Sequence, residues 1–136
     1  NRIVSLLLKN KANVNLSPVG SKSPLYFASC TNNSALVGLL LEHGASTNVH
    51  CKEFGKYPIH WPCINGNLSM LHLFLSKNAD VNVLDNNSKS PLYYACFHGY
   101  YSIVLTLLQL NVHIHRIYPF HQSLLHLILL AKNEMK

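Results

Sequence analysis

A chain of 136 residues, 49% of them hydrophobic, is long enough for one domain with a continuous core. Eleven Lys and Arg against five Asp and Glu give a formal charge of +6, yet the cations are scattered and no polybasic run marks a nucleic-acid surface. The longest near-unbroken apolar stretch, residues 124–131, contains His126 and falls far short of the roughly 20 residues that cross a bilayer, and no segment has the layout of a signal peptide.

The first predicted element is a helix over Arg2–Lys9, where Ile3, Val4, Leu7 and Leu8 stand at i, i+1, i+4 and i+5 and make one apolar face. A polar tail at 11–15 leads to Ser23-Pro24-Leu25-Tyr26. Proline suits the first turn of a helix, and Ser23 can cap it by accepting an orphan amide hydrogen. Small residues Ala28 and Ser29 follow, and Asn32 ends this short helix by accepting a left-handed conformation. A second helix carries Leu36, Val37, Leu40 and Leu41 and runs into a tail at 44–48.

The same order then returns. A turn at Phe54-Gly55 precedes Tyr57-Pro58-Ile59-His60, with Gly66 as the stop, and Met70, Leu71, Phe74 and Leu75 line the next second helix. After the tail at 78–82 and a turn at Asn86-Asn87 come Ser90-Pro91-Leu92-Tyr93, Gly99, and the column Ile103, Val104, Leu107 and Leu108. A last tail at 111–115 leads to Ser123-Leu124-Leu125-His126.

The phrases start at Ser23, Tyr57, Ser90 and Ser123, so they are 34, 33 and 33 positions apart (57−23, 90−57, 123−90). A fixed period of that size is one supersecondary unit stacked on copies of itself, each burying its apolar face against its neighbours. The proline-bearing phrase, the stop at its tenth position, the leucine run and tails such as Asn78-Ala79-Asp80-Val81-Asn82 together resemble the ankyrin repeat over essentially the whole chain.

That resemblance implies an all-α solenoid of stacked helix-turn-helix units with β-turn fingers. The expected organisation is a single domain, 1–136, with a partial unit at 1–16, complete repeats at about 17–49, 50–83 and 84–116, and a partial unit at 117–136. The start on Asn1, the lone second helix there and the apolar final helix are expected to belong to a longer array. Pro62 departs from the pattern. It stands where the family has alanine, and a proline inside a helix removes one hydrogen bond and clashes with the preceding turn, so the first helix of the third repeat is expected to be short or irregular.

Chemistry-bearing residues give little support for catalysis. Glu42, Glu53, Asp80, Asp85 and Glu134 form no pair at a spacing suited to acid–base work, and no glycine-rich phosphate loop is present. Cys30, Cys51, Cys63 and Cys96 contain no C-x-x-C and follow the repeat, which fits small buried residues in a reducing compartment. His113, His115 and His121 share a connector without the fourth ligand a zinc site requires. No metal, cofactor or small-molecule substrate is expected. The N-x-S triplets at Asn15, Asn32, Asn67 and Asn86 are read as chance matches.

The resemblance places His60 and His126 where the family ties adjacent turns by hydrogen bonds. Asn15, Asn48 and Asn82, each eight residues after Leu7, Leu40 or Phe74, resemble the pattern modified by an intracellular asparaginyl hydroxylase; a turn-bonding role is the simpler reading of them. The family binds proteins through its fingers and the concave face of its first helices. The matching variable positions are Val19, Gly20, Lys22, Cys30 and Thr31, then Glu53, Phe54, Lys56, Ile64 and Asn65. In the later units they are Asn86, Asn87, Lys89, Phe97 and His98, then Pro119, Phe120 and Gln122.

Lys22, Lys56 and Lys89 each stand one residue before the phrase and should form a column of ammonium groups. Phe54, Phe97 and Phe120 lie where no core argument requires an aromatic, with Trp61 near the same face and His98 beside Phe97. Aromatic anchors flanked by cations are common at interface hot spots; the competing reading is a solvated edge with locally packed rings. The expected function is a non-enzymatic protein-interaction module, cytoplasmic or nuclear, taking an acidic or polar protein partner and neither nucleic acid nor membrane. The alternative is a substrate-recruiting arm of a larger protein, such as a ubiquitin-ligase adaptor or an ankyrin-bearing enzyme.

Overall fold

A computed structural model describes residues 2–17 and 22–110. Seven helices and no strand occur among them: α1 (Arg2–Lys9), α2 (Pro24–Cys30), α3 (Ser34–Glu42), α4 (His60–Asn65), α5 (Leu68–Ser76), α6 (Pro91–His98) and α7 (Tyr101–Leu108). Helices α2 and α3, α4 and α5, and α6 and α7 form hairpins. The first helices α2, α4 and α6 stack in one row and the second helices α3, α5 and α7 in another. The period read from the sequence is therefore the repeat of an all-α solenoid.

Side-chain capping sets most of the helix starts. Ser23 Oγ and Ser90 Oγ accept from the amides of Tyr26 and Tyr93, each at 3.1 Å. The second helices begin on asparagine: Asn33 Oδ1 accepts from Leu36 N–H at 3.1 Å and Asn67 Oδ1 from Met70 N–H at 2.9 Å. Each of these bonds satisfies an amide that has no partner within its helix. Asn32 and Asn78 hold the left-handed stops with φ of 61° and 57°; Asn111, read as a third such stop, lies outside the described residues.

Pro62 has the expected effect. Helix α4 spans six residues and starts at His60, two positions later in its repeat than α2 and α6 start in theirs. The Pro58 carbonyl, which a regular helix would join to residue 62, instead accepts from Trp61 N–H at 3.1 Å. By starting late, the helix leaves Pro62 in its first turn, where a missing N–H costs little.

The core runs between the two rows. Leu25, Ile59 and Leu92 from the phrases meet Val37, Met70, Leu71, Phe74, Ile103 and Leu107 from the second helices, all essentially without exposure. Ser29, Cys63 and Cys96, at one repeat position, are fully buried. Burial pushes the Cys63 thiol far above the ordinary range and Cys96 up to about 12. Neither thiol is a nucleophile at neutral pH. Helix α1 differs from its sisters and buries none of its residues.

Candidate functional site

The fingers at 51–56 and 85–89 are narrow turns that touch each other. In the former, Cys51 N–H donates to Lys56 O at 2.9 Å; in the latter, Asp85 N–H donates to Lys89 O at 3.0 Å. Asn86 N–H crosses between them to Phe54 O at 3.2 Å. Gly55 sits at the crossing with φ of 71°, and a Cβ there would come within 2.1 Å of Asn86 Oδ1. No other residue fits that contact.

Asp85 anchors the finger at 85–89, a role that no motif in the sequence marks. Its side chain has no exposure. Oδ1 accepts from Asn87 N–H at 2.9 Å and Lys89 N–H at 3.0 Å, while Oδ2 accepts from the Tyr94 hydroxyl and lies 3.5 Å from Lys56 Nζ. Burial alone would raise its pKa, but these donors together hold the carboxyl below the usual range. The Tyr94 hydroxyl is driven up by burial and by the carboxylate it faces.

His60 completes the node. Its Nδ1 accepts from Tyr57 N–H at 2.9 Å, which requires the proton on Nε2, and Nε2 donates to Lys89 O at 3.0 Å. The ring is fully buried, lies edge-on to Tyr94 with centroids 5.9 Å apart, and titrates below the ordinary histidine value because burial disfavours its charge. It links one phrase to the next, the role expected at this position. His126 lies outside the described residues.

The three lysines have unequal surroundings. Lys22 is exposed, with Nζ 5.9 Å from the Tyr26 ring centre. Lys56 is ion-paired to Asp85 and also lies over the Phe54 and Tyr94 rings at 5.8 and 5.5 Å. Its charge is neutralised within the chain. Lys89 lies over the Tyr93 ring at 4.3 Å and has no carboxylate partner among the described residues. Trp61 is half-buried, edge-on to Tyr26 at 6.0 Å, with its Nε1 buried and without an acceptor.

Phe54 and Phe97 are 48% and 60% exposed, more than a core role would allow. Phe97 stacks on Tyr93 at 6.2 Å and meets the exposed His98 edge-on at 5.1 Å. Lys89, Phe97 and His98 share one open depression of about 510 Å³ with Asn87, Tyr93 and Tyr94. Phe54 and Lys56 lie together on a finger, whereas Lys22 and Trp61 converge on Tyr26. Phe120, with the connector histidines His113, His115 and His121, lies outside the described residues. Among the described residues no group of three or more His, Cys, Asp and Glu could hold a metal ion.

Of the tail asparagines, Asn15 has a clear structural task. Its Oδ1 accepts from Ser46 N–H at 2.8 Å and its Nδ2 donates to Gly44 O at 3.3 Å, tying one tail to the next.

Hairpins stacked in two rows and joined by turn fingers define a helical-repeat solenoid. A family profile described as ankyrin repeats in three copies matches residues 35–117, more than half of the chain, and the chain belongs to the ankyrin repeat family. Glycerophosphocholine phosphodiesterase GDE1 of Candida albicans is 28% identical over 109 residues, 79% of this chain and 9% of that protein. Putative ankyrin repeat protein FPV024 of fowlpox virus is 30% identical over 101 residues, 74% of this chain and 17% of its own length. Probable E3 ubiquitin-protein ligase XBOS33 of rice is 36% identical over 59 residues, 43% of this chain and 11% of its length. The chain thus spans less than a fifth of each of these relatives. Ankyrin repeats generally mediate protein–protein interaction and are typically non-catalytic. No helix among the described residues is long and apolar enough to cross a membrane.

Proposed function

We propose that this chain is a non-enzymatic interaction module that binds a protein partner through its fingers and the exposed side of its first-helix row. The observation that carries this reading is the exposure of Phe54 and Phe97 beside lysines, on a scaffold whose core is already filled by other residues. Apolar rings left in water next to cations are the kind of anchor that partner proteins cover. The partner's complementary surface is acidic or polar, and the four unpaired cysteines suit an intracellular setting. The whole chain, 1–136, is read as one repeat domain.

A photocrosslinking amino acid placed at Phe97 should capture a partner in cells. The same probe at His72, exposed on the second-helix row, should not. Adducts at His72 with none at Phe97 would move the interface to the opposite row.

A second reading is favoured by the small shares of the relatives that the chain covers, 9% of a phosphodiesterase and 11% of a ligase. In it the repeats are a recruiting arm whose parent carries its own activity elsewhere. An immunoblot of the native protein checks this: a product no larger than a 136-residue chain would rule it out.

A further inference from the structure

The depression on the last described hairpin is more specific than a general interaction face. Half of its lining is aromatic rings of Tyr and Phe: Tyr93 and Phe97 stack, and Tyr94 joins them with its hydroxyl held by Asp85. At about 510 Å³ it has the size of a small-ligand site, about 300–1,000 Å³, but it is open rather than enclosed. That shape suits a stretch of chain laid across it more than a molecule engulfed by it.

The electrostatics set the sign of what can lie there. Lys89 Nζ is held against the Tyr93 ring and is not neutralised by any carboxylate among the described residues. Asp85, whose carboxylate holds the Tyr94 hydroxyl at the edge of the depression, is sealed by two amides, that hydroxyl and Lys56. A cationic ligand would meet an ammonium already occupying the ring face. A nucleic acid strand needs a track of several cations to follow its phosphates, and Lys56, which would extend the track, is spent on Asp85.

Resting on the interaction reading above, we infer that this depression binds a peptide segment of the partner in which a carboxylate side chain stands next to a large apolar one. The carboxylate meets Lys89, and the apolar side chain covers Phe97 and Tyr93. Asn87, exposed at the rim, offers its amide to the peptide backbone.

The test uses fluorescent hexapeptides in which Asp-Leu, Lys-Leu or Ser-Leu is flanked by Gly and Ser, with labelled oligo-dT as the nucleic-acid probe, followed by anisotropy and by amide shifts in NMR spectra. The Asp-Leu peptide should bind best, with shifts gathered on residues 87–98. Lys89→Glu should weaken it about three- to tenfold, the range of a lone surface ion pair reversed, and Phe97→Ala about tenfold. Lys89→Gln, milder for the fold, should weaken it in the same direction, and Lys77→Glu, exposed at the end of a second-row helix, should leave it within twofold. Preference for Lys-Leu or oligo-dT, no binding of any peptide at millimolar concentration, or indifference to both Lys89 variants overturns the inference. If that happens while a partner is still crosslinked at Phe97, the broader interaction reading survives; if crosslinking fails as well, both fall.

Discussion

Asp85 shows how one buried residue can tie two repeats together. Four donors converge on a carboxylate with no exposure, and one of them, Lys56, belongs to the preceding finger. Removing one partner of a buried ion pair leaves the other charge stranded, so Asp85→Asn should cost about 3 kcal/mol of stability at pH 7. His60 sits in the same node as a buried neutral ring with both nitrogens engaged. Protonation needs a hydrogen on Nδ1, where Tyr57 N–H already points. The pH dependence follows from these two directions. His60 titrates lower in the folded chain than in the unfolded one, so its contribution is complete above about pH 6.5 and is lost as pH falls through the folded value. Asp85 is likewise lowered, and its contribution is complete above about pH 4 and is lost below it. Urea unfolding between pH 8 and 3 should therefore show two acid losses, the first no steeper than about 1.4 kcal/mol per pH unit. His60→Gln should erase the first loss and Asp85→Asn the second.

At the scale of elements, the phrases, caps and stops were legible because each depends on residues close in sequence. Ser23 and Ser90 cap their helices through an amide three residues away, and Pro62 shortens its own helix. The fingers were legible only as positions. Lys56 and Asp85 are 29 residues apart and meet only because the units stack, so the column of lysines concealed that its middle member faces inward. The trio Lys89, Phe97 and His98 was visible as a set of variable positions, but of the tyrosines that complete the depression Tyr93 read as part of the repeating phrase and Tyr94 carried no sequence signal. Contact between fingers gives the element-scale prediction. Gly55 and Gly44 both have positive φ, yet a Cβ at Gly44 meets nothing within 4 Å, whereas at Gly55 it strikes Asn86. Gly44→Ala should cost only the left-handed strain, about 1 kcal/mol. Gly55→Ala should cost at least about 2 kcal/mol, because the next finger must also move. Thermal unfolding of the two variants separates the terms; equal losses would mean that the fingers part without cost.

For the whole molecule, a stack in which each unit touches only its neighbours has no single keystone, so stability varies along the chain. Helix α5 contributes Met70, Leu71 and Phe74, all without exposure, and has α3 on one side and α7 on the other. Helix α1 has no fully buried residue, and its Ile3, Leu6 and Leu7 are 72%, 63% and 54% exposed. It is held to the array by the half-buried Val4 and Leu8, which pack against the core, and by the tail that follows it, where Asn15 bonds to Gly44 and Ser46. Opening such a helix exposes little new apolar surface, so its free energy of opening should lie near the bottom of the native range. Native-state amide exchange should then be fastest in α1 and slowest in α5, with α3 and α7 between them. Phe74→Ala, which opens a cavity at the centre, should cost about 3–5 kcal/mol and speed exchange in α3 and α7 as well. Asn15→Ala should speed exchange in α1 and leave α5 protected. If Asn15→Ala instead lowers protection evenly through α7, the array unfolds as one unit, and the local stability inferred for α1 is wrong.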